Sequence, residues 1–141
     1  MDKCGKKVSR GYPCWRVPSP GFYKINCSTT SEVGNNRVSI GVVIHDESGS
    51  VMAFCCQILD ANFDSIVAEI MTIFKGILFS KDCGLAHCVL ESNKAGAIAR
   101  VPNNNLQNAS YGSIISDTAD LRSQSIGLSI CAIPCSANRV A

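Results

Sequence analysis

The sequence has few of the residues on which most metal and acid–base chemistry relies. Only two histidines, His45 and His87, occur in 141 residues. Nine cysteines are present, but none forms Cys-x-x-Cys. The nearest spacings are Cys55-Cys56, Cys83-x4-Cys88 and Cys131-x3-Cys135. A structural zinc site needs four converging ligands at tight, paired spacing, so zinc is excluded. No apolar run approaches the roughly 20 residues that cross a bilayer, which excludes a membrane partner of that kind. The opening "MDKCGKKVSR" has charge but no apolar stretch behind it, so it does not read as a secretory signal. The expected compartment is therefore intracellular, cytoplasm or nucleus, where thiols stay reduced. An odd number of cysteines fits that expectation, since they cannot all pair within the chain.

Charge is also sparse and uneven. Charged residues make up 17% and the net charge is +2. Residues 1–16 hold Lys3, Lys6, Lys7, Arg10 and Arg16 against Asp2, so the remainder is slightly acidic. A balance this close to zero is no electrostatic footprint for nucleic acid by itself. Residues 1–21 show no hydrophobic period and contain Gly11, Pro13, Pro18, Pro20 and Gly21. They read as a basic tail and linker ahead of a domain over 22–141.

What remains is a globular core, 46% hydrophobic. "FYKINCS" (22–28) alternates and predicts a strand, with Phe22, Lys24 and Asn26 on one face and Tyr23, Ile25 and Cys27 on the other. "STTSEVGNN" predicts a loop. "RVSIGVVIHD" and "VMAFCCQIL" flank "ESGS" and predict an antiparallel hairpin. In "DSIVAEIMTIFKGILFSKDCG" the residues Ile66, Ile70, Ile73, Phe74, Ile77 and Leu78 recur at helical spacing. Asp64 or Ser65 caps the start and Gly84 ends it. Gly76 suggests close packing. "HCVLES" predicts a fourth strand, "KAGAIARV" a short helix stopped by Pro102, and "NNNLQNAS" a loop. "SIISDTADLRSQS" predicts an amphipathic helix, and "IGLSICAIP" (126–134) a last strand. The order β-β-β-α-β-α-α-β implies an α/β fold: a five-stranded mixed sheet flanked by helices, with strands one, four and five parallel. Ser28 and Asn93 then sit at the ends of adjacent strands, with Glu69 early on the long helix. Asp46 and Asp64 read as turn and cap residues. Glu91, next to Ser92 on the fourth strand, is expected on the opposite face and is not recruited.

From Trp15 to Ala141 the chain resembles the ribonuclease H-like domain family, in its plant retroelement-derived type. The residues that carry the resemblance are "WRVPSPGFYKIN", "GVVIHDESGSVMAF", "AEIMTIFKGI", "VLESNK" and "CSANRVA", in that order. The resemblance implies a five-stranded mixed sheet with flanking helices. It also implies cleavage of the RNA strand of an RNA–DNA hybrid by two magnesium ions held by four carboxylates. Two such ions activate a water and stabilise the leaving oxygen, and magnesium prefers hard anionic oxygen.

Carried over residue by residue, the family's Lys-x-Asn-x-Asp becomes "KINCS", with Ser28 at the acid's position. Ala-Glu survives as Ala68-Glu69. Glu-Ser-Asp becomes "ESN", with Asn93 at the acid's position. The fourth acid follows Asn-x-x-Ala, and this sequence ends at Ala141 within "NRVA", so the resemblance implies a domain lacking its final helix. The expected site is thus Glu69 as the one retained metal-binding acid, with Ser28 and Asn93 as substituted catalytic positions. Magnesium binding is expected to be weak or absent. Nucleic acid, as an RNA–DNA hybrid, is the implied partner, with Lys94, Arg100 and Arg139 as scattered phosphate-contact candidates. Nothing in the sequence names a protein partner. Three functions stay open here: a nucleic-acid-associated domain without catalysis, an active magnesium-dependent hybrid ribonuclease, and a retroelement-derived fragment without function.

Overall fold

A computed structural model describes residues 14–32, 34, 36–60, 64–101 and 112–140. Five strands, β1 (Tyr23–Glu32), β2 (Arg37–His45), β3 (Val51–Asp60), β4 (Cys88–Ser92) and β5 (Ser129–Ala132), form one sheet in the order β3-β2-β1-β4-β5. β1 pairs antiparallel with β2 and parallel with β4, and β4 pairs parallel with β5. The helices are α1 (Ser65–Asp82), α2 (Ala95–Ala99) and α3 (Gly112–Gln124), and a 3-10 turn spans Cys135–Ala137. The α/β fold, mixed sheet and parallel strands agree with the sequence expectation.

Period-2 alternation divides the sheet into two faces. Ile25 and Cys27 of β1, Ile40, Val42 and Ile44 of β2 and Leu90 of β4 are buried in a single core with Ile70, Ile73 and Ile77 of α1. Ala97, Ile115 and Leu121 from the shorter helices join that core. Gly76 sets how closely α1 lies on the sheet. A Cβ there would stand 2.5 Å from Cys27 Sγ and 3.0 Å from Leu90 Cδ1. Asp64 caps α1 by accepting from the Ile66 amide at 3.2 Å. Gly84, at φ 71°, turns the chain away at the other end. In the β2–β3 turn, Asp46 Oδ1 accepts from the amides of Ser48 and Ser50, both at 2.9 Å, as the turn expectation required.

Three boundaries differ from the sequence reading. "STTSE", expected as loop, continues β1, because Thr29 to Glu32 pair with Arg37 to Ile40 of β2. Pairing with a neighbour outweighs weak local preference. β4 starts at Cys88, since His87 adopts φ 58°. β5 is only four residues, because Gly127 turns at φ 67° before it and Pro134, which has no amide proton, follows it. The expected loop "NNNLQNAS" lies outside the described residues. Seven described cysteines carry free thiols, while Cys131 is disulfide-bonded, against the all-thiol expectation at that position. Among the described residues no helix is long and apolar enough to cross a membrane.

Candidate functional site

The last register pair between the parallel strands β1 and β4 is Cys27 with Ser92. Ser28 and Asn93 are the next residue on each strand and so share one end of the sheet. Ser28 is half-buried and stays in register with Gly41 of β2. Asn93 leaves β4 and begins the turn into α2, which Ser92 Oγ holds by accepting from the Lys94 amide at 3.1 Å. Glu69, on the second turn of α1, reaches this turn: Oε1 lies 3.7 Å from Lys94 Nζ. The fold therefore brings Glu69 and Asn93 to one turn, with Ser28 on the strand beside it.

The chemistry available there is limited. Asn93 is engaged at both ends of its amide. Its Oδ1 accepts from Asn138 Nδ2 at 2.9 Å, and its Nδ2 donates to Cys135 Sγ at 3.2 Å. The three positions Ser28, Glu69 and Asn93 supply one anionic side chain between them. That side chain already faces an ammonium group. Among the described residues no three His, Cys, Asp or Glu side chains converge as a metal site. A pair of magnesium ions needs a cage of several carboxylate oxygens, and this donor set does not fit one.

Beside these positions lies a buried polar network that sequence reasoning missed. Lys24 Nζ is 3.0 Å from Glu91 Oε1, with both side chains 6% exposed. Asn26 Nδ2 donates to Glu91 Oε2 at 3.1 Å and to Asn138 Oδ1 at 3.0 Å. Asn26 Oδ1 accepts from Trp15 Nε1 at 2.8 Å. Asn138 Nδ2 also donates to the Cys27 carbonyl at 2.7 Å. Each group is satisfied, as low dielectric requires. The expectation for Glu91 needs correction. Glu91 does oppose Ser92, but a period of two puts it on the same face as Asn93, where Asn26 and Asn138 connect the two. The signal was present in the motifs: Lys24 and Asn26 of "KINCS" and Glu91 of "ESN" are the residues that hold one another.

The phosphate-contact candidates stand at the two ends of α2 and after β5. Lys94 is engaged by Glu69. Arg100 stands at the C-cap of α2. Arg139 is exposed, one residue past Asn138. Lys94 and Arg100 thus flank the one short helix α2, and Arg139 lies on the segment after β5.

A protein-family model described as reverse transcriptase-like matches residues 26–141. The chain belongs to that family, a ribonuclease H-like domain family. No curated protein matches in sequence. Solved structures similar to this ribonuclease H-like domain include RNase H1 from Halobacterium salinarum, at TM-score 0.75 and 15% identity, over 86% of this chain and 92% of that one. Another is the N-terminal RNase H domain of a Mycobacterium tuberculosis protein, at TM-score 0.71 and 16% identity, over 85% and 87%. A third is LC11-RNase H1, solved in complex with an RNA/DNA hybrid, at TM-score 0.72 and 16% identity, over 84% and 90%. At such identities the likeness establishes the fold alone.

Proposed function

We propose that this ribonuclease H-like domain associates with nucleic acid, as an RNA–DNA hybrid, without cutting it. In this proposal Ser28, Glu69 and Asn93 occupy the family's acid positions, and magnesium binds weakly or not at all. The observation that carries the proposal is the state of Glu69. It is the one carboxylate at those positions, and Lys94 stands 3.7 Å from it. At ~4 Å one unit-charge pair is worth roughly 4 kcal/mol at an effective dielectric near 20, and a divalent ion about doubles that. Replacing acids by Ser28 and Asn93 therefore removes several kcal/mol of ion binding. Each ~1.4 kcal/mol in a barrier is about tenfold in rate.

The test is cleavage of a labelled RNA–DNA hybrid in excess magnesium, alongside direct binding of the same hybrid. The native chain is compared with a Ser28→Asp, Asn93→Asp chain extended by the final helix of an active family member. A native chain that binds the hybrid but leaves it intact, with cutting by the restored chain, supports the proposal. Cutting by the native chain that Glu69→Gln abolishes overturns it, in favour of an active magnesium-dependent ribonuclease. Absence of any hybrid binding also overturns it, in favour of a domain with no nucleic-acid role.

A further inference from the structure

Ahead of β1, the segment Cys14–Gly21 lies across the hairpin end of the sheet and is fastened at four points. The Trp15 ring packs on His45, centroids 4.6 Å apart, and its Nε1 donates to Asn26. Lys24 Nζ donates to the Arg16 carbonyl and lies 5.5 Å from the Trp15 ring centroid. Val17 rides over Gly49, where an added Cβ would meet Val17 Cγ1 at 3.2 Å. The Gly21 amide donates to Glu47 Oε2 at 2.6 Å.

The weak point of this fastening is His45. It is 7% exposed, and its Nδ1 is buried with no hydrogen-bond partner among the described residues. Its direct cross-strand register partner is Lys24. The other charged groups nearby are already engaged. Glu91 is paired with Lys24, Glu47 with the Gly21 amide, and Asp46 with the turn amides and Ser48. An imidazolium at position 45 would thus be buried, without a hydrogen-bond acceptor at Nδ1 and directly opposite a like charge, an arrangement that destabilises a strand pair.

We infer that His45 is the proton-sensitive catch of a strap, Cys14–Gly21, which stays closed while the ring is neutral and is released when the ring gains a proton. Burial holds the His45 imidazolium below its ordinary range; Asp46 opposes this and Lys24 adds to it. The sign follows. With the strap open, the imidazole returns toward its ordinary value of about 6.5 and binds more protons than the closed state. Closure is therefore fully present above that value and is lost as pH falls below it. The consequence reaches the candidate site, because the bond that Trp15 gives up is to Asn26, which holds Asn138 and through it Asn93.

Trp15 is the only tryptophan in the chain, so its emission reads the strap directly. Between pH 8 and 5 the full chain should show a red shift of that emission, while far-UV circular dichroism stays constant. His45→Gln, which cannot ionise, should abolish the shift. His87→Gln, at the only other histidine, should leave it unchanged. Hydrogen exchange on the unmodified chain supplies an independent reading should His45→Gln fail to fold. Peptides covering 14–22 should lose protection at low pH while α1 keeps its own. A shift that persists in His45→Gln, or protection lost from strap and α1 together, overturns the inference, as does an emission that does not move.

Discussion

Asn138 donates to Asn93 across 2.9 Å, and that bond ties the segment after β5 to the turn that ends β4. The same Nδ2 reaches the Cys27 carbonyl, and Asn138 Oδ1 accepts from Asn26. One buried amide thus ties together β1, the β4 turn and the segment after β5. In this domain an amide-to-amide bond stands where the family resemblance leads one to expect acid oxygens around metal. The neutral end of "VLESN" is therefore a hydrogen-bonded joint.

Removing that joint should be costly. Asn138→Ala deletes all three bonds and leaves the Cys27 carbonyl and one Asn26 N–H without their partner. Each buried group left unsatisfied costs roughly 1–3 kcal/mol, so the urea midpoint should fall by an amount equivalent to about 2–5 kcal/mol with an unchanged slope. Asn138→Asp keeps the shape but removes the donor and places an anion near Glu91, and it should be at least as damaging.

Lys24 and Glu91 form a pair in which each residue is almost fully enclosed. Breaking such a pair typically costs about 3–5 kcal/mol, because an uncompensated charge stays buried. Lys24→Met and Glu91→Leu should each fall in that range by urea denaturation. The double variant should cost clearly less than the sum of the two, with a coupling of ~2 kcal/mol or more. Additive losses would mean that the two charges do not depend on each other.

How much of this was legible beforehand differs between fold and site. The element order and the parallel strands followed from alternation, the helical spacing of Ile70, Ile73 and Ile77, and the helix-linked connections. The length of β1 was not legible, because Thr29–Glu32 is polar and becomes strand only through its register with β2. That Ser28 and Asn93 end adjacent strands, with Glu69 early on α1, was legible from the element order. The role of Trp15 was not. It lies in a segment with no period, and its value comes from His45 and Asn26, far along or across the fold. Glu91 was misjudged because one neighbour, Ser92, was used to assign its face where the second neighbour, Asn93, shares it.

Gly76 and Cys27 should show reciprocal packing. Gly76→Ala places a methyl 2.5 Å from Cys27 Sγ, and overpacking of this kind costs roughly 1–3 kcal/mol. Cys27→Ala removes the offending sulfur at some cost of its own. The double variant should recover most of the Gly76→Ala loss, whereas a helix-propensity account of Gly76 would make Gly76→Ala stabilising on its own. Thermal denaturation of the four chains separates the two.

The thiols should divide by environment. Burial pushes the Cys88 thiol up to about 11 and the Cys27 thiol higher still, with Cys55 adding to the latter. Since the thiolate is the reactive form, Cys14, Cys56, Cys83 and Cys135, all exposed, should alkylate first at pH 8 in the native chain. Cys27 and Cys88 should label only on unfolding. The sign for stability follows from the raised values. The contribution is intact below the ordinary thiol value of about 9 and is lost as pH rises toward 11. The alkaline limb of a stability profile should therefore flatten in Cys88→Ser.

The last prediction concerns magnesium and needs no catalysis to test. A ligand that binds only the folded state stabilises it by RT ln(1 + [L]/Kd), about 2.7 kcal/mol at one hundred times Kd. In the native chain, Glu69 is engaged by Lys94 and its two companion positions are neutral, so millimolar magnesium should leave the melting temperature where calcium-free, magnesium-free buffer puts it. Ser28→Asp, Asn93→Asp adds two carboxylates at the joined ends of β1 and β4. Like charges there disfavour the empty fold, so this variant should melt lower in chelator than the native chain. Magnesium should then raise its melting temperature. Glu69→Gln in the same background should remove most of that gain, because Glu69 is the acid that reaches the Asn93–Lys94 turn from α1. A magnesium response in the native chain, lost in Glu69→Gln, would instead show that serine and asparagine oxygens suffice for an ion, and the non-cutting proposal would lose its physical basis.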